Sequence, residues 1–434
     1  MIFLIQLRTK QKQDELLRSP EMRKLVSVAA VFGLVIAAFA TGAEERPQVY
    51  FAGFSFGGLA AERQNMYPHA SLIVEREPDS RNLRPVDATL LQRAEQLRPI
   101  SFELLIPGND TLDLASLEGA NSKALTVVLD GEFVSIDRMS DHFQVTIWLS
   151  GQIIIFSFDE RKIITSHPFG VRRKTVFDEK PSNEAIRNIV SEMLLQPTTQ
   201  YNPNFFDAFT KRAKDLVVQP STRGRIQVGE VSIDPRSHRN LPETYLQTPQ
   251  SLDRFRSFVA TTFTKSFSEH TGRPVLPYLL LPEEVSARRI ALNAGAYMTK
   301  LMSQVADARV YNLEVPEPDF VFNIKILGFR KALLEENPGS ERWVFGSFVD
   351  IFLYEPFRGR ELAESRVRFP EVADLPTGSG QTIDDWGEYR ESLFKLLDGY
   401  CQGLSTQKPS YWLEAQENPN QTRVTLSKIQ QFIN

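Results

Sequence analysis

Gly53-Phe54-Ser55-Phe56-Gly57 has the G-x-S-x-G spacing of a nucleophile elbow, and it follows a stretch that reads as a strand. The chemistry of such an elbow is acyl transfer. A sharp turn exposes the serine hydroxyl, a histidine takes its proton, and backbone N–H groups hold the oxyanion. His142, His167, His238 and His270 lie downstream as bases, but no spacing singles one out. Position argues the other way. An α/β-hydrolase builds several strands of sheet before its nucleophile, whereas Ser55 comes at the start of the folded part of the chain, and Leu59–Gln64 is a poor helix start. A strand closed by Gly57-Gly58 accounts for the same pattern, so a serine hydrolase acting through Ser55 is the second reading.

Other reactive groupings are thinner. The five histidines are scattered, no H-E-x-x-H occurs, and the single cysteine, Cys401, cannot build a zinc cage or an intrachain disulfide. Neither a metal nor a cofactor is expected. Cys401 falls among Leu397, Tyr400 and Leu404 of a helical pattern and reads as a small core side chain. Glu283-Glu284 and Asp384-Asp385 stand at expected helix starts, where the helix dipole favours acids. Thr377-Gly378-Ser379-Gly380 is too short for a phosphate cradle and has no lysine beside it. Two groups suit contact with a partner rather than chemistry. Arg172-Arg173-Lys174 is a basic run that suits an acidic partner or lipid head groups. Phe345, Phe348, Phe352 and Phe357 crowd one region of a chain with 30 phenylalanines, and an exposed apolar patch of that kind marks an interaction surface.

The elements that would carry these residues fall into two similar series. Gln48–Phe56 reads as a strand, a helix carries Leu90, Leu91, Ala94 and Leu97, Ile100–Ile106 is extended, and Leu125–Ile136 is a strand bent near Asp130-Gly131. In Phe143–Phe169 apolar residues alternate, Ser150-Gly151 is expected to turn the chain, and Asp159–Lys162 turns it again. A helix capped by Ser182 follows. The second series repeats this order. It has a strand at Arg225–Ile233 and a helix at Ser251–His270 with Leu252, Phe255, Val259, Phe263 and Phe267 on one face. Another helix is expected from Pro282, with Ile290, Ala294, Tyr297, Leu301 and Val305 as its apolar face. A strand at Phe320–Phe329 precedes a meander from Trp343 to Pro370 turning at Pro356–Gly359, and a helix at Trp386–Leu404 closes the series. These patterns predict an α+β protein of two related units, 44–196 and 225–404, each an antiparallel or mixed sheet with helices packed on one face. Residues 197–224, with three prolines and a short amphipathic piece at Phe205–Leu216, read as the linker, and 405–434 as a loosely held tail.

Arg23-Lys24, the apolar run Leu25–Ala40 and Thr41-Gly42-Ala43 describe a secretory signal peptide over 22–43, with 1–21 an upstream extension. An uncleaved N-terminal anchor is the alternative. The apolar run falls short of the roughly 20 residues that a spanning helix needs. Net charge is −4, and residues 1–43 contribute +3, which leaves −7 for the rest. An acidic body argues against phosphate-backbone binding, so no nucleic-acid partner is expected. Hydrophobic content of 42% excludes a disordered chain.

Within Phe320–Pro370, Phe345-Gly346-Ser347-Phe348-Val349-Asp350-Ile351-Phe352-Leu353-Tyr354 is followed by Arg358-Gly359-Arg360-Glu361-Leu362. This stretch resembles the small periplasmic domain found at the N-terminus of the Tol-Pal translocation protein and in the curli-secretion outer-membrane protein. Residues 125–169 give a fainter counterpart. The chain departs from both, with no propeller repeats following and no lipidation cysteine. The resemblance implies a protein-binding domain of a cell-envelope assembly. The leading expectation is therefore a non-enzymatic periplasmic protein that binds or scaffolds envelope components, with possible peripheral membrane contact. A small-molecule carrier with a pocket between the units is the further alternative.

Overall fold

The structure, a computed structural model, describes residues 46–433 save 59–61, 78–82, 107–121, 140, 217, 219–223, 281–287, 295–309, 379, 381–382 and 406–410. The expected signal stretch and upstream extension lie outside the described residues. The elements run in chain order from strand β1 (Gln48–Gly57) to helices α1 (Ala70–Val74) and α2 (Pro85–Gln96). Strands β2 (Glu103–Leu105), β3 (Lys123–Met139), β4 (His142–Ser157) and β5 (Lys162–Phe177) follow, then α3 (Asn183–Leu195) and α4 (Phe205–Ala213). The second half comprises β6 (Ile226–Ile233), α5 (Pro249–Thr271), β7 (Arg289–Ala294), β8 (Val310–Glu314), β9 (Phe320–Asn337), β10 (Ser340–Glu355), β11 (Arg360–Pro376), α6 (Asp385–Ser405) and α7 (Pro419–Ile433).

The chain is an α+β protein in which one unit is used twice. In the first half β1 runs parallel to β3, and β3, β4 and β5 form an antiparallel meander. In the second half β6 runs parallel to β9, and β9, β10 and β11 do the same. The edge partner also recurs: Val49 of β1 pairs in parallel with Leu104, and Ile226 of β6 with Val275. Bulges match as well. The chain skips Asp130 opposite Ser150 and Gly151, and skips Leu327 opposite Phe348 and Val349. It skips Ile164 opposite Ile155 and Phe156, and Leu362 opposite Leu353 and Tyr354. A bulge inserts an unpaired residue and bends the strand, so coincident bulges give the two sheets the same local twist.

Each sheet packs helices on one face. Val127, Ile147, Ile153 and Phe169 of the first meet Leu90 of α2, Ile189 of α3 and Phe206 of α4. Ile324, Phe345, Val349 and Val367 of the second meet Phe255, Val259 and Phe263 of α5 and Leu393, Leu396 and Tyr400 of α6. The helical spacing of these residues is why the predicted stripes bury as read. Ser182 caps α3 as expected, its hydroxyl accepting from Ala185 N–H at 3.2 Å. Helices α5 and α6 also reach the far face of the first sheet, where Trp148 of β4 packs edge-on against Phe258 and Phe394.

Three expectations are corrected. Ser150-Gly151 does not turn the chain, because β4 runs straight through it. The glycine serves close approach instead: a Cβ there would lie 2.5 Å from the Phe205 ring and 2.6 Å from the Val128 carbonyl oxygen. Gly151→Ala is expected to destabilise by about 1–3 kcal/mol, read in urea unfolding, because the backbone cannot yield as a side chain can. Within 197–224 the amphipathic piece packs on the first unit, α4 burying Phe205, Phe206 and Phe209 in that core. The helix expected from Pro282 to Val305 is a strand where it is described, at Arg289–Ala294. Ile290 and Leu292 alternate into a core, whereas the Ile290–Ala294 spacing had suggested a helix. The tail is held, not loose, with Leu426, Ile429 and Ile433 of α7 buried against the second core.

The misread strand alters the domain picture. Strands β7 and β8 belong to the second half but join the first sheet, β7 along the C-terminal part of β1 and β8 at Lys162 of β5. They bridge its two edges and enclose a separate core of Val128, Ile154, Phe156, Leu292 and Leu313. Residues 48–434 accordingly form one compact unit. At the other sheet, the Gln416 amide lies against the outer edge of β11, accepting from Arg368 N–H (2.9 Å) and donating to Arg368 C=O (2.8 Å).

Candidate functional site

A pocket of about 460 Å³ opens between the two repeats. The first repeat supplies the β3 bulge and its sequel, Asp130–Val134, with Trp148 and Ser150 of β4 and Met66 and Pro68 from the connection after β1. The second supplies Tyr245 and one stripe of α5: Gln250, Asp253, Arg254, Ser257, Phe258 and Thr261. That spacing of three and four is one helix face, and the neighbouring face of α5, with Phe255 and Val259, fills the second core.

One wall is aromatic. Phe133 stacks on Phe258 with ring centroids 4.2 Å apart and lies parallel to Tyr245 at 6.1 Å. Trp148 is 96% buried, and its ring carries the Lys265 ammonium at 4.8 Å. Burial depresses the Lys265 pKa, and burial holds the Tyr245 phenol well above its ordinary value, so the phenol stays neutral.

The floor is polar. Gln152 donates to Asp130 Oδ2 at 2.7 Å, and Ser166 Oγ donates to Gln152 Oε1 at 2.5 Å, which fixes the orientation of the amide. Asp130 Oδ1 is shielded from solvent and has no hydrogen-bond partner among the described residues. Burial raises the Asp130 pKa, and the nearby Ser150 and Gln152 side chains pull against that rise. The other acids are engaged. Glu132 accepts from the His69 and Ala70 backbone N–H groups and meets the His69 ring at 2.6 Å. Asp253 accepts from Arg256 at 2.8 Å. Arg254 lines the pocket from an exposed position.

The residues singled out in the sequence lie elsewhere. Ser55 is 0% exposed in the middle of β1, paired on both sides, with its Oγ 3.3 Å from Thr126 Oγ1. It stands on no turn and touches no histidine. The basic run is spent within the chain. Arg172 and Lys174 reach Glu391 of α6 at 3.1 and 2.9 Å, Arg172 lies over Phe394, and Arg173 bonds Glu192 of α3 at 2.6 Å. Its acidic partners are therefore two helices of the same molecule. Phe345 is a core residue, Phe348 and Phe352 are half-buried on the outer face of the second sheet, and Phe357 is 97% exposed at its turn. Asp385 pairs with Lys331 at 2.5 Å, and Asp384 accepts from Trp386 N–H at 3.0 Å, as helix-start acids do.

One grouping was not foreseen. Asp398 accepts from Ser266 and lies 3.0 Å from His270 Nε2. The carboxylate sits between serine and histidine, so the histidine cannot take the serine proton, and the hydrogen bond to Asp398 raises the His270 pKa. Cys401 is buried, and burial raises its thiol far above the reactive range. Among the described residues no group of three or more His, Cys, Asp or Glu could hold a metal ion, and no helix is long and apolar enough to cross a membrane. The sequence hint missed for the pocket was Asp130, a charge set directly after the apolar run Val127-Val128-Leu129. No protein-family model matches the chain, and no curated protein matches it.

Proposed function

We propose that the protein binds a small molecule in the pocket between its two repeats and acts as a carrier or sensor rather than a catalyst. The observation that carries this reading is the pocket itself. Its volume falls in the range of about 300–1,000 Å³ typical of ligand sites, with an aromatic wall and a few convergent polar groups. The burial of Ser55 in a strand weighs against acyl transfer there. The signal-like stretch at 22–43 and the resemblance of Phe320–Pro370 to small periplasmic domains support work outside the cytoplasm, where a ligand would be met before any envelope partner.

Nile red, a neutral apolar fluorophore, tests the site. It is expected to bind one equivalent, and Ser257→Trp, which fills the pocket from α5, should weaken it about tenfold or more while far-UV circular dichroism and the unfolding midpoint hold. Gln250→Trp gives the same readout about two turns earlier on α5. Binding that is undiminished in both folded variants would place the dye elsewhere and remove the pocket from consideration.

A further inference from the structure

We propose that the pocket takes an organic amine, its ammonium against Asp130 and its apolar body against Phe133, Trp148 and Phe258. This rests on the pocket being a ligand site and names the ligand's chemistry.

The repeat supplies an internal control. Asp130 is the skipped residue of the β3 bulge, and the skipped residue of the matching bulge in β9 is Leu327. The fold makes this bulge with a plain apolar side chain, so the carboxyl is not there for architecture. It is also not there for stability. A carboxylate withdrawn from water needs a cation, and the groups around Asp130 are a neutral amide and a neutral hydroxyl. Asp130 Oδ1 has no hydrogen-bond partner among the described residues, and a buried acceptor left unmet is costly. Of the other acids in the lining, Glu132 is held by His69 and two backbone N–H groups and Asp253 by Arg256, while Glu62 accepts from the Asn65 amide at 3.3 Å in an exposed pair.

The wall fits the rest of such a ligand. At the position of Trp148 the second repeat has Gly346, and at that of Phe133 it has Arg330, judged by their places beside the matching bulges. The first repeat thus puts aromatic faces where the second puts none. The Trp148 ring already carries the Lys265 ammonium, so this wall is left to the ligand's apolar body and the ammonium to Asp130. Arg254 argues for an anion instead, but it is exposed, while Asp130 lies on the floor.

Displacement of Nile red by tryptamine, tryptophol and indolepropionate separates the possibilities, since the three share a ring and differ in the terminal group. The wild type should prefer the amine over the alcohol by at least about tenfold, the worth of a charge-assisted hydrogen bond. Asp130→Leu, which installs the second repeat's residue, should erase that preference, read as the ratio of amine to alcohol affinity within the variant itself, whatever its affinity for Nile red. Asp130→Asn, close in shape, should do the same and serves if the leucine variant does not fold. Equal binding of amine and alcohol, or tightest binding of the propionate, overturns the amine inference while the pocket reading stands. Failure of the wild type to bind Nile red sinks the pocket reading itself.

Discussion

Arg390→Met is expected to destabilise the protein by about 3–5 kcal/mol. Arg390 of α6 reaches across to Asp137 of β3, with Nη2 donating to Oδ2 at 2.7 Å and to Thr146 Oγ1 at 3.1 Å. Ser135 Oγ donates to the other Asp137 oxygen at 2.7 Å. Both side chains are at least 95% buried. The pair therefore joins the first sheet to helix α6 of the second repeat in a place water does not reach. Removing the guanidinium strands a carboxylate in that place, and the penalty is the stranded charge rather than the lost attraction. The double variant Asp137→Leu/Arg390→Met should then recover most of the loss, because two apolar side chains need no compensation. Urea unfolding of the three variants decides the matter. A single-variant loss below about 1 kcal/mol, the range of exposed pairs, would show that the site is wet.

The second large effect is on acid stability. His167 of β5 is buried, and burial, with the Arg212 charge second, lowers its pKa to about 3. In the unfolded chain a histidine titrates near 6.5. The folded pKa lies below the unfolded one, so the unfolded state binds the proton first as pH falls. The stability contributed by neutral His167 is thus complete above about pH 6.5 and is lost progressively down to about pH 3. The slope in that window approaches about 1.4 kcal/mol per pH unit, so the loss between pH 6 and 4 is about 2.5 kcal/mol. His167→Gln keeps a partner for the Thr165 hydroxyl, which lies 3.1 Å from Nε2, and does not titrate. Its unfolding free energy should fall less steeply than that of the wild type across this range. His270 works in the opposite sense, since its raised pKa adds stability as pH falls through the folded value, but it is half-exposed and present in both proteins. Parallel pH profiles for the two proteins would show that His167 is protonated in the fold.

The contrast between these residues shows where sequence reading reaches. Alternation in Trp343–Tyr354 and the stripe Phe255, Val259, Phe263 and Phe267 are local periodicities, and the strand and helix they predict are present. The doubled order of strands and helices was legible for the same reason. Gly151 was misread because turning and close approach both favour glycine, and only Phe205, far along the chain, tells them apart. Strand β7 was misread because six residues carry little periodicity and the strand that receives them, β1, lies in the other repeat. Arg172 and Lys174 looked free because Glu391 is over two hundred residues away. The bend at Asp130-Gly131 was visible, but its chemistry was not. A pocket is made when α5 comes to face β3, and no local pattern encodes that meeting.

The clasp of Gln416 on Arg368 has its own consequence. A side-chain amide there offers one acceptor and one donor to the border of the sheet, as the backbone of an incoming peptide would. An extended polypeptide seeking to extend the sheet at β11 finds that docking place already taken by the protein's own chain. Recruitment by strand addition is closed at this position, and self-association along the same route is closed with it.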